Sequence, residues 1–344
     1  MNSLVTGATG FVGSHVARLL VSRGDAVRVL VRPSSRVEML DGIACERVTG
    51  DLRDLESLHS ALRGIQRVFH VAADYRLWSR DPSEIYSSNV EGTRNLLSVA
   101  RECGVERVVY TSTVATIAVP VTGEKLPDES TPARLEQMIG HYKRSKYIAE
   151  SEALAFARHG LNVVVVNPTT PVGPGDWKPT PTGRIIVDFL NGKMPAFVDT
   201  GLNLVAVEDV AEGHLLAAER GKPGERYLLG AENLSLEQIL GTLAKITGRR
   251  APRARIPHSV ALVAAYVDSA VSRLLGREPH IPVEGVKIAR HRMFVNTSRA
   301  ERELGFRPGS VAAALERAVR WYESRGYVRG RHAAESAASA VKAA

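Results

Sequence analysis

The sequence predicts an α/β protein: a doubly wound parallel sheet followed by a smaller mixed C-terminal substrate domain. Three observations carry this. A glycine-rich turn, Thr6-Gly-Ala-Thr-Gly10-Phe-Val-Gly13, directly follows the apolar start Leu4-Val5. Short runs of branched apolar residues then recur, with helix-spaced stretches between them. After Asn167-Pro168 that rhythm gives way to a Pro-, Gly- and Thr-rich texture that reaches Pro181-Thr182-Gly183.

The strands are expected at Leu4-Val5, Ala26 to Val31, Arg67 to Val71, Val105 to Thr111 and Leu161 to Val166. They lack alternation with polar residues, as strands covered by helices on both faces do. Helical spacing appears at Val16 to Leu20, Leu55 to Leu62 and Val90 to Ala100. Asp54 and Asn89 stand near two helix starts, where short polar side chains cap free amides. These elements make residues 1–166 a nucleotide-binding domain, completed by a segment near 201–221. There Val207-Glu-Asp209 opens an amphipathic helix with acidic residues at its positive end. Leu234-Ser235-Leu-Glu237 opens another. Residues 167–200 and 222–328 are assigned mainly to substrate binding, and the Ala- and Ser-rich 329–344 to a terminal appendage.

Composition narrows the function. The 45 Lys and Arg exceed the 37 Asp and Glu to give +8, but they are scattered apart from Arg249-Arg250-Ala-Pro-Arg253-Ala-Arg255. No nucleic-acid motif accompanies them, so the excess reads as solvated surface plus a site for anionic phosphates, with no nucleic-acid partner. Cys45 and Cys103 have neither zinc spacing nor a disulfide framework, which points away from metal chemistry and toward a reducing, cytoplasmic compartment. The start runs straight into a strand and leaves no room for a signal peptide. No stretch nears the ~18 apolar residues of a membrane span. From Pro257 to Leu275, Val260, Leu262, Val263, Val267, Val271, Leu274 and Leu275 form a broad apolar face. Core packing is its ordinary reading; the other is a helix at a lipid-facing entrance, making weak peripheral membrane contact at the inner face of a membrane.

The glycine turn has a chemical reason. Gly7 and Gly10 allow a tight turn and close approach to a pyrophosphate, Gly13 lets the helix pack on the sheet, and the helix N-terminus offers amide donors. That is the phosphate site of a Rossmann-like fold. Two further pieces carry the reaction. Tyr110-Thr111-Ser112-Thr113 ends a strand, and Tyr142 and Lys146, four apart, share one helical face. A lysine charge and a cationic nicotinamide would favour the Tyr142 phenolate, and Thr113 would hold a substrate oxygen beside it. The set suits acid/base work during hydride transfer at a carbinol or carbonyl. Arg32, where an acidic residue would favour NAD, faces a 2′-phosphate instead, with Ser34, Ser35 and Arg36 nearby; NADP(H) is favoured, with NAD(H) the alternative. Asp51 reads either as an adenine acceptor or as a helix cap. Tyr75 and Trp78 are either core residues or a platform over an apolar or sugar-like ligand, and Lys178, Thr182 and Arg184 are candidate substrate contacts or solvated loop residues.

The pairing of Thr6 to Gly13 with Tyr142 and Lys146 resembles the extended short-chain dehydrogenase/reductase superfamily, whose signature joins TGxxGxxG to YxxxK. Thr113 falls at that family's catalytic Ser or Thr. His70-Val-Ala-Ala73, Asn89 to Leu96 and Arg299 to Pro308 extend the match. Within the superfamily the chain is similar to bacterial hopanoid-associated sugar epimerases, described as dihydroflavonol-reductase-like. His70 to Trp78, Ile139 to Lys146, Lys178 to Arg184, Met194 to Asn203 and Gly224 to Gly230 carry that likeness. The resemblance implies catalysis by Thr113, Tyr142 and Lys146. It implies a cofactor held by Gly7, Thr9, Gly10, Phe11, Val12, Gly13, Arg32, Asp51, Leu52, Val71, Ala72, Ala73, Thr111, Tyr142, Lys146, Pro168 and Thr169. It also implies a sugar or polyol substrate, hopanoid-linked; a homodimer is one possible assembly, since the sequence does not fix the oligomeric state. Reduction and epimerisation start from the same site. A non-catalytic NADP-sensing protein would show a broken Thr, Tyr or Lys position, and none is broken here.

Overall fold

A computed structural model describes residues 1–76, 79, 81–117, 125–275, 279 and 282–328. Seven strands form the main sheet: β1 (Asn2–Thr6), β2 (Ala26–Val31), β3 (Cys45–Thr49), β4 (Arg67–His70), β5 (Arg107–Thr111), β6 (Val163–Pro168) and, much later, β10 (Arg226–Leu229). Their spatial order is β10-β6-β5-β4-β1-β2-β3, and every pairing is parallel. The chain winds outward from β1 in one direction and from β4 in the other, so the switch point lies between them. In such sheets ligands bind outside the carboxyl ends of the strands at that point.

Helices cover both faces. On one, α1 (Phe11–Ser22), α7 (Val207–Arg220) and α11 (Ser298–Leu304) enclose a core containing Val5, Leu20, Val29, Phe69, Val164 and Leu215. On the other, α2 (Leu55–Leu62), α4 (Gly92–Glu102) and α5 (Gly140–Arg158) pack around Leu4, Leu58, Leu97, Val108 and Val163. Asp54 caps α2 by accepting from the Glu56 amide at 3.1 Å. Asn89 is not a cap. A short helix α3 (Ser83–Tyr86) continues through a π-helical turn, Ser87–Glu91, into α4, and Asn89 sits within that turn. Its side chain bonds the Asp74 backbone and Ser145. Wide turns of this kind place a side chain off the regular helical register.

The smaller half is built from β7 (Thr170–Val172), β9 (Gly201–Ala206) and β11 (Glu232–Ser235) in one mixed sheet, and β8 (Ala196–Phe197) paired with β12 (Ala254–Arg255). Helices α6 (Pro181–Leu190), α8 (Leu236–Thr247) and α12 (Val311–Ser324) close its core around Phe189, Leu204, Leu240 and Leu315. The capping box Ser235/Gln238 opens α8. Helices α9 (His258–Leu274) and α10 (Val283–Ile288) complete it.

Two main-sheet strands escape the sequence pattern. β3 is an edge strand whose Glu46 and Arg47 are exposed, so no apolar run marks it. β10 lies within 222–328 but pairs with β6, while β9, within 201–221, joins the smaller sheet. The apolar face of α9 departs from the core-packing expectation: only Ala261, Ala265 and Ser272 are buried. Among the described residues, no helix is long and apolar enough to cross a membrane. Residues 329–344 lie outside those described.

Candidate active site

The glycine turn occupies the switch point. Gly7 takes φ +72°, a left-handed conformation that favours glycine, and a Cβ there would stand 2.6 Å from the Ala72 amide nitrogen, just past β4. At Gly13 a Cβ would meet the Gly7 carbonyl oxygen at 2.2 Å, so α1 crosses directly over the turn. The N-cap of α1 is Gly10, with no capping side chain and no acidic residue in the first turn. A backbone cradle of this kind, facing the positive end of a helix, fits a dinucleotide's pyrophosphate.

A buried polar relay fixes the neighbouring strand ends. The Ala72 amide donates to Thr6 Oγ1 at 3.2 Å, and Thr6 lies 2.8 Å from His70 Nδ1. His70 Nε2 lies 3.0 Å from Thr93 Oγ1, which donates to the Asn89 carbonyl at 2.6 Å. Donors and acceptors balance only if the His70 proton sits on Nε2. Burial, assisted by the Lys146 charge, lowers the His70 pKa to about 3, so the ring is neutral.

The reactive side chains meet where β5 ends. Helix α5 follows β5 and runs back antiparallel to it, so its first turns overhang the carboxyl edge of the sheet. Lys146 Nζ donates to the Tyr110 hydroxyl and to the Thr111 carbonyl, each at 2.8 Å, and lies 4.5 Å from the centre of the Tyr110 ring. Burial drops its pKa to about 7, while the Glu150 carboxylate pushes the other way. Tyr142, one helical turn earlier and half-buried, has a phenol that burial holds above its ordinary value; a hydrogen bond with Thr113 pulls it back. The Lys146 ammonium is turned to Tyr110 and the Thr111 carbonyl.

Thr113 caps the turn after β5, accepting from the Ala115 amide at 3.2 Å. Its carbonyl is held by Thr116 Oγ1 at 2.8 Å and Asn167 Nδ2 at 3.1 Å. Buried Glu150 gathers Thr116 at 2.8 Å, Asn167 at 2.7 Å and Arg226 at 3.0 Å. Sequence reasoning missed Glu150 and Asn167. The four-residue spacing Tyr142, Lys146, Glu150 was the available signal for the first. Lys143 was missed too. It is buried, no described residue pairs with its ammonium, and burial lowers its pKa to about 8.

On the cofactor side, Thr9, Phe11 and Val12 lie in or beside the glycine turn, Val71, Ala72 and Ala73 follow β4, and Pro168 and Thr169 lie at the end of β6. Thr111 and Thr169 are buried. Arg32 is exposed at the end of β2, and among the described residues neither Arg32 nor Arg36 has an ion pair. Asp51 is no cap, since Asp54 fills that role. Its carboxylate takes two bonds from Arg53, each 2.8 Å, which hold its pKa near about 2, and Leu52 packs beside Gly92.

The candidate substrate residues are gathered less completely. Tyr75 is 42% exposed and feels the charges of Asp176 and Arg184. Thr182 is buried in the first turn of α6, whereas Lys178 and Arg184 are exposed. No hydrogen bond or ion pair joins Lys178, Thr182 or Arg184 to Thr113 or Tyr142. Trp78 lies outside the described residues. Asp176, also missed, is buried and accepts from Tyr322 and Thr180 at 2.8 Å each; burial raises its pKa.

The arrangement has known counterparts. Residues 3–230 match the model of the NAD dependent epimerase/dehydratase family. A putative dihydroflavonol 4-reductase from Synechocystis is 50% identical over 329 residues, which cover 94% of this chain and 95% of that one. Sterol demethylase protein B from Methylococcus capsulatus is 38% identical over 330 residues, covering 95% and 100%. Among solved structures, a nucleoside-diphosphate-sugar epimerase from Pseudomonas aeruginosa superposes with a TM-score of 0.79 at 27% identity, covering 96% and 99%.

Proposed function

The chain belongs to the NAD-dependent epimerase/dehydratase family and is an enzyme of the extended short-chain dehydrogenase/reductase type; on that premise we propose that it is an NADP-dependent oxidoreductase. Its substrate is a secondary alcohol or ketone in a sugar- or polyol-containing, hopanoid-linked molecule. The observation that carries the reading is the meeting of Tyr142 and Thr113 at the end of β5, one turn from Lys146 and at the same sheet edge as the glycine turn.

The nicotinamide cofactor, when bound, supplies or accepts hydride at the reacting carbon. The glycine turn and the first turn of α1 hold its pyrophosphate, and Lys146 its nicotinamide ribose. In reduction, Thr113 orients the carbonyl oxygen and Tyr142 donates its phenolic proton to that oxygen. The Tyr142 phenol, kept protonated by burial, is ready for this direction. In oxidation Tyr142 takes the proton back. Glu150, Asn167 and Thr116 hold the Thr113 backbone still while this happens.

NADP is favoured because Arg32 follows β2 directly, where an acidic residue would favour NAD, and among the described residues neither Arg32 nor Arg36 has an ion pair. A lipid-linked substrate draws support from the sterol demethylase relative. The protein then needs no more than peripheral contact with the membrane that holds it. The epimerase likeness favours a second outcome, transient oxidation followed by return of hydride to the other face of the same carbon. Incubating candidate hopanoid-linked polyols and their keto forms with NADPH, for the wild type and Tyr142→Phe, tests the reading. We expect NADPH consumption by the wild type and a fall of at least ~10²-fold in the variant with dinucleotide affinity kept. Wild-type turnover by Tyr142→Phe would rule out its acid/base role.

A further inference from the structure

Helix α9 is built inside out for a core helix. Its buried positions are small, Ala261, Ala265 and Ser272, and it packs against α10. Its large side chains point to solvent: Val260 is 54% exposed, Val263 64%, Val267 59%, Val271 41% and Leu274 88%. The 3-4-4-3 spacing of these residues sets them in one stripe along a helix of about 25 Å. Tyr266, with the Lys287 ammonium 5.9 Å from its ring centre, and Arg273 border the stripe. Soluble surfaces rarely expose a continuous apolar strip of this kind unless something covers it.

Charge decides what the cover is. Arg249, Arg250 and Arg253 precede the helix, Arg273 lies in its last turn, and none of the four has an ion pair in the described structure. Two copies joined along α9 in antiparallel fashion would bring the Arg249–Arg253 end of one against Arg273 of the other. Parallel pairing would stack like ends. Either way positive charge meets positive charge across the apolar contact, which opposes self-association. A bilayer with anionic headgroups meets both demands, apolar in its interior and negative at its surface. Position fits as well. Helix α10, on which α9 packs, sets Glu284 Cγ only 3.2 Å from where a Cβ would stand on Gly140, two residues before Tyr142.

We propose that α9 docks the enzyme on an anionic lipid surface, bringing the Tyr142 site near the membrane. The inference rests on the proposed lipid-linked substrate for its purpose, and on α9 alone for its geometry. Flotation of the full-length protein tests it, with vesicles of phosphatidylcholine alone or mixed with phosphatidylglycerol and no substrate present. The wild type should float with the mixed vesicles and less well in high salt. Val263→Glu with Val267→Glu should cut binding at least ~10-fold while keeping dinucleotide affinity, the check that the fold survives. Arg250→Glu with Arg253→Glu should remove the dependence on phosphatidylglycerol. Wild-type protein that floats with neither vesicle overturns the proposal. So does equal flotation of the valine variant, or a dimer in light scattering that the valine variant dissolves. Activity on lipid-linked substrate in detergent without flotation defeats only the docking; flotation without such activity defeats only the substrate reading.

Discussion

At the carboxyl edge of the seven-stranded sheet Lys146, Asn89, Asn167 and Glu150 each hold at least two partners. Around the start of α6, Lys178 and Arg184 are exposed to solvent, and neither has an ion pair in the described structure. The first side is committed before any ligand arrives: the proposed proton donor and its supports are held by packing and hydrogen bonds, which is how a transition state would gain more than a ground state from its surroundings. The second has no such network, as suits the adjustable substrate-contacting role proposed for it. Damage to the first side should therefore destroy binding or chemistry outright, and damage to the second should only retune it.

The sharpest way to break that contrast is at the glycine turn. Gly13→Ala forces a methyl against a backbone carbonyl that has nowhere to move. We expect a loss of about 1–3 kcal/mol in urea unfolding and at least roughly tenfold weaker dinucleotide binding. Unchanged affinity would mean that the turn is not the phosphate site. Arg32→Glu comes next. NADP(H) affinity should fall on the order of 10²-fold while NAD(H) stays within about threefold, because a repelling carboxylate replaces an attracting guanidinium. Calorimetric titration giving equal losses for both dinucleotides would remove Arg32 from the phosphate site.

The buried histidines extend the test to pH. His70 and His214 have folded pKa values of about 3 and about 4, below the ordinary 6.5, because burial disfavours their charged forms. Between those values and 6.5 the unfolded chain binds more protons than the native one. Their contribution to stability is complete above pH 6.5 and is lost as pH falls toward 3, at up to about 1.4 kcal/mol per pH unit for each ring. Denaturant titrations from neutral to acid should show this decline, and His70→Gln should shallow it. The smallest effect belongs to the start of α6: Arg184→Ala should raise KM by about threefold to tenfold with kcat nearly unchanged. A collapse of kcat instead would place Arg184 in the chemistry.

The same contrast explains what could be read from the amino-acid order. The glycine turn, the apolar strands β1, β2 and β4 to β6, and the Tyr142/Lys146 spacing are local patterns whose physics acts within one turn or one strand. β3 and β10 carry charged residues at the sheet margins and become strands only by pairing with distant neighbours. The Asn89 cap reading failed because a π-helical turn, invisible in side-chain periodicity, runs through it. Glu150 and Asn167 come together across 17 positions, joined by a bond that no local motif marks. The exposure of α9 was hidden for a simpler reason: periodicity reveals an apolar face but not what lies opposite it.

Transfer of deuterium tests the central claim most directly. With NADPH deuterated at the transferring position of the nicotinamide and a ketone of the hopanoid-linked polyol class, mass spectrometry of the product should find the label on the new carbinol carbon. Tyr142→Phe should give essentially none. Turnover that leaves the carbinol carbon unlabelled would contradict the account.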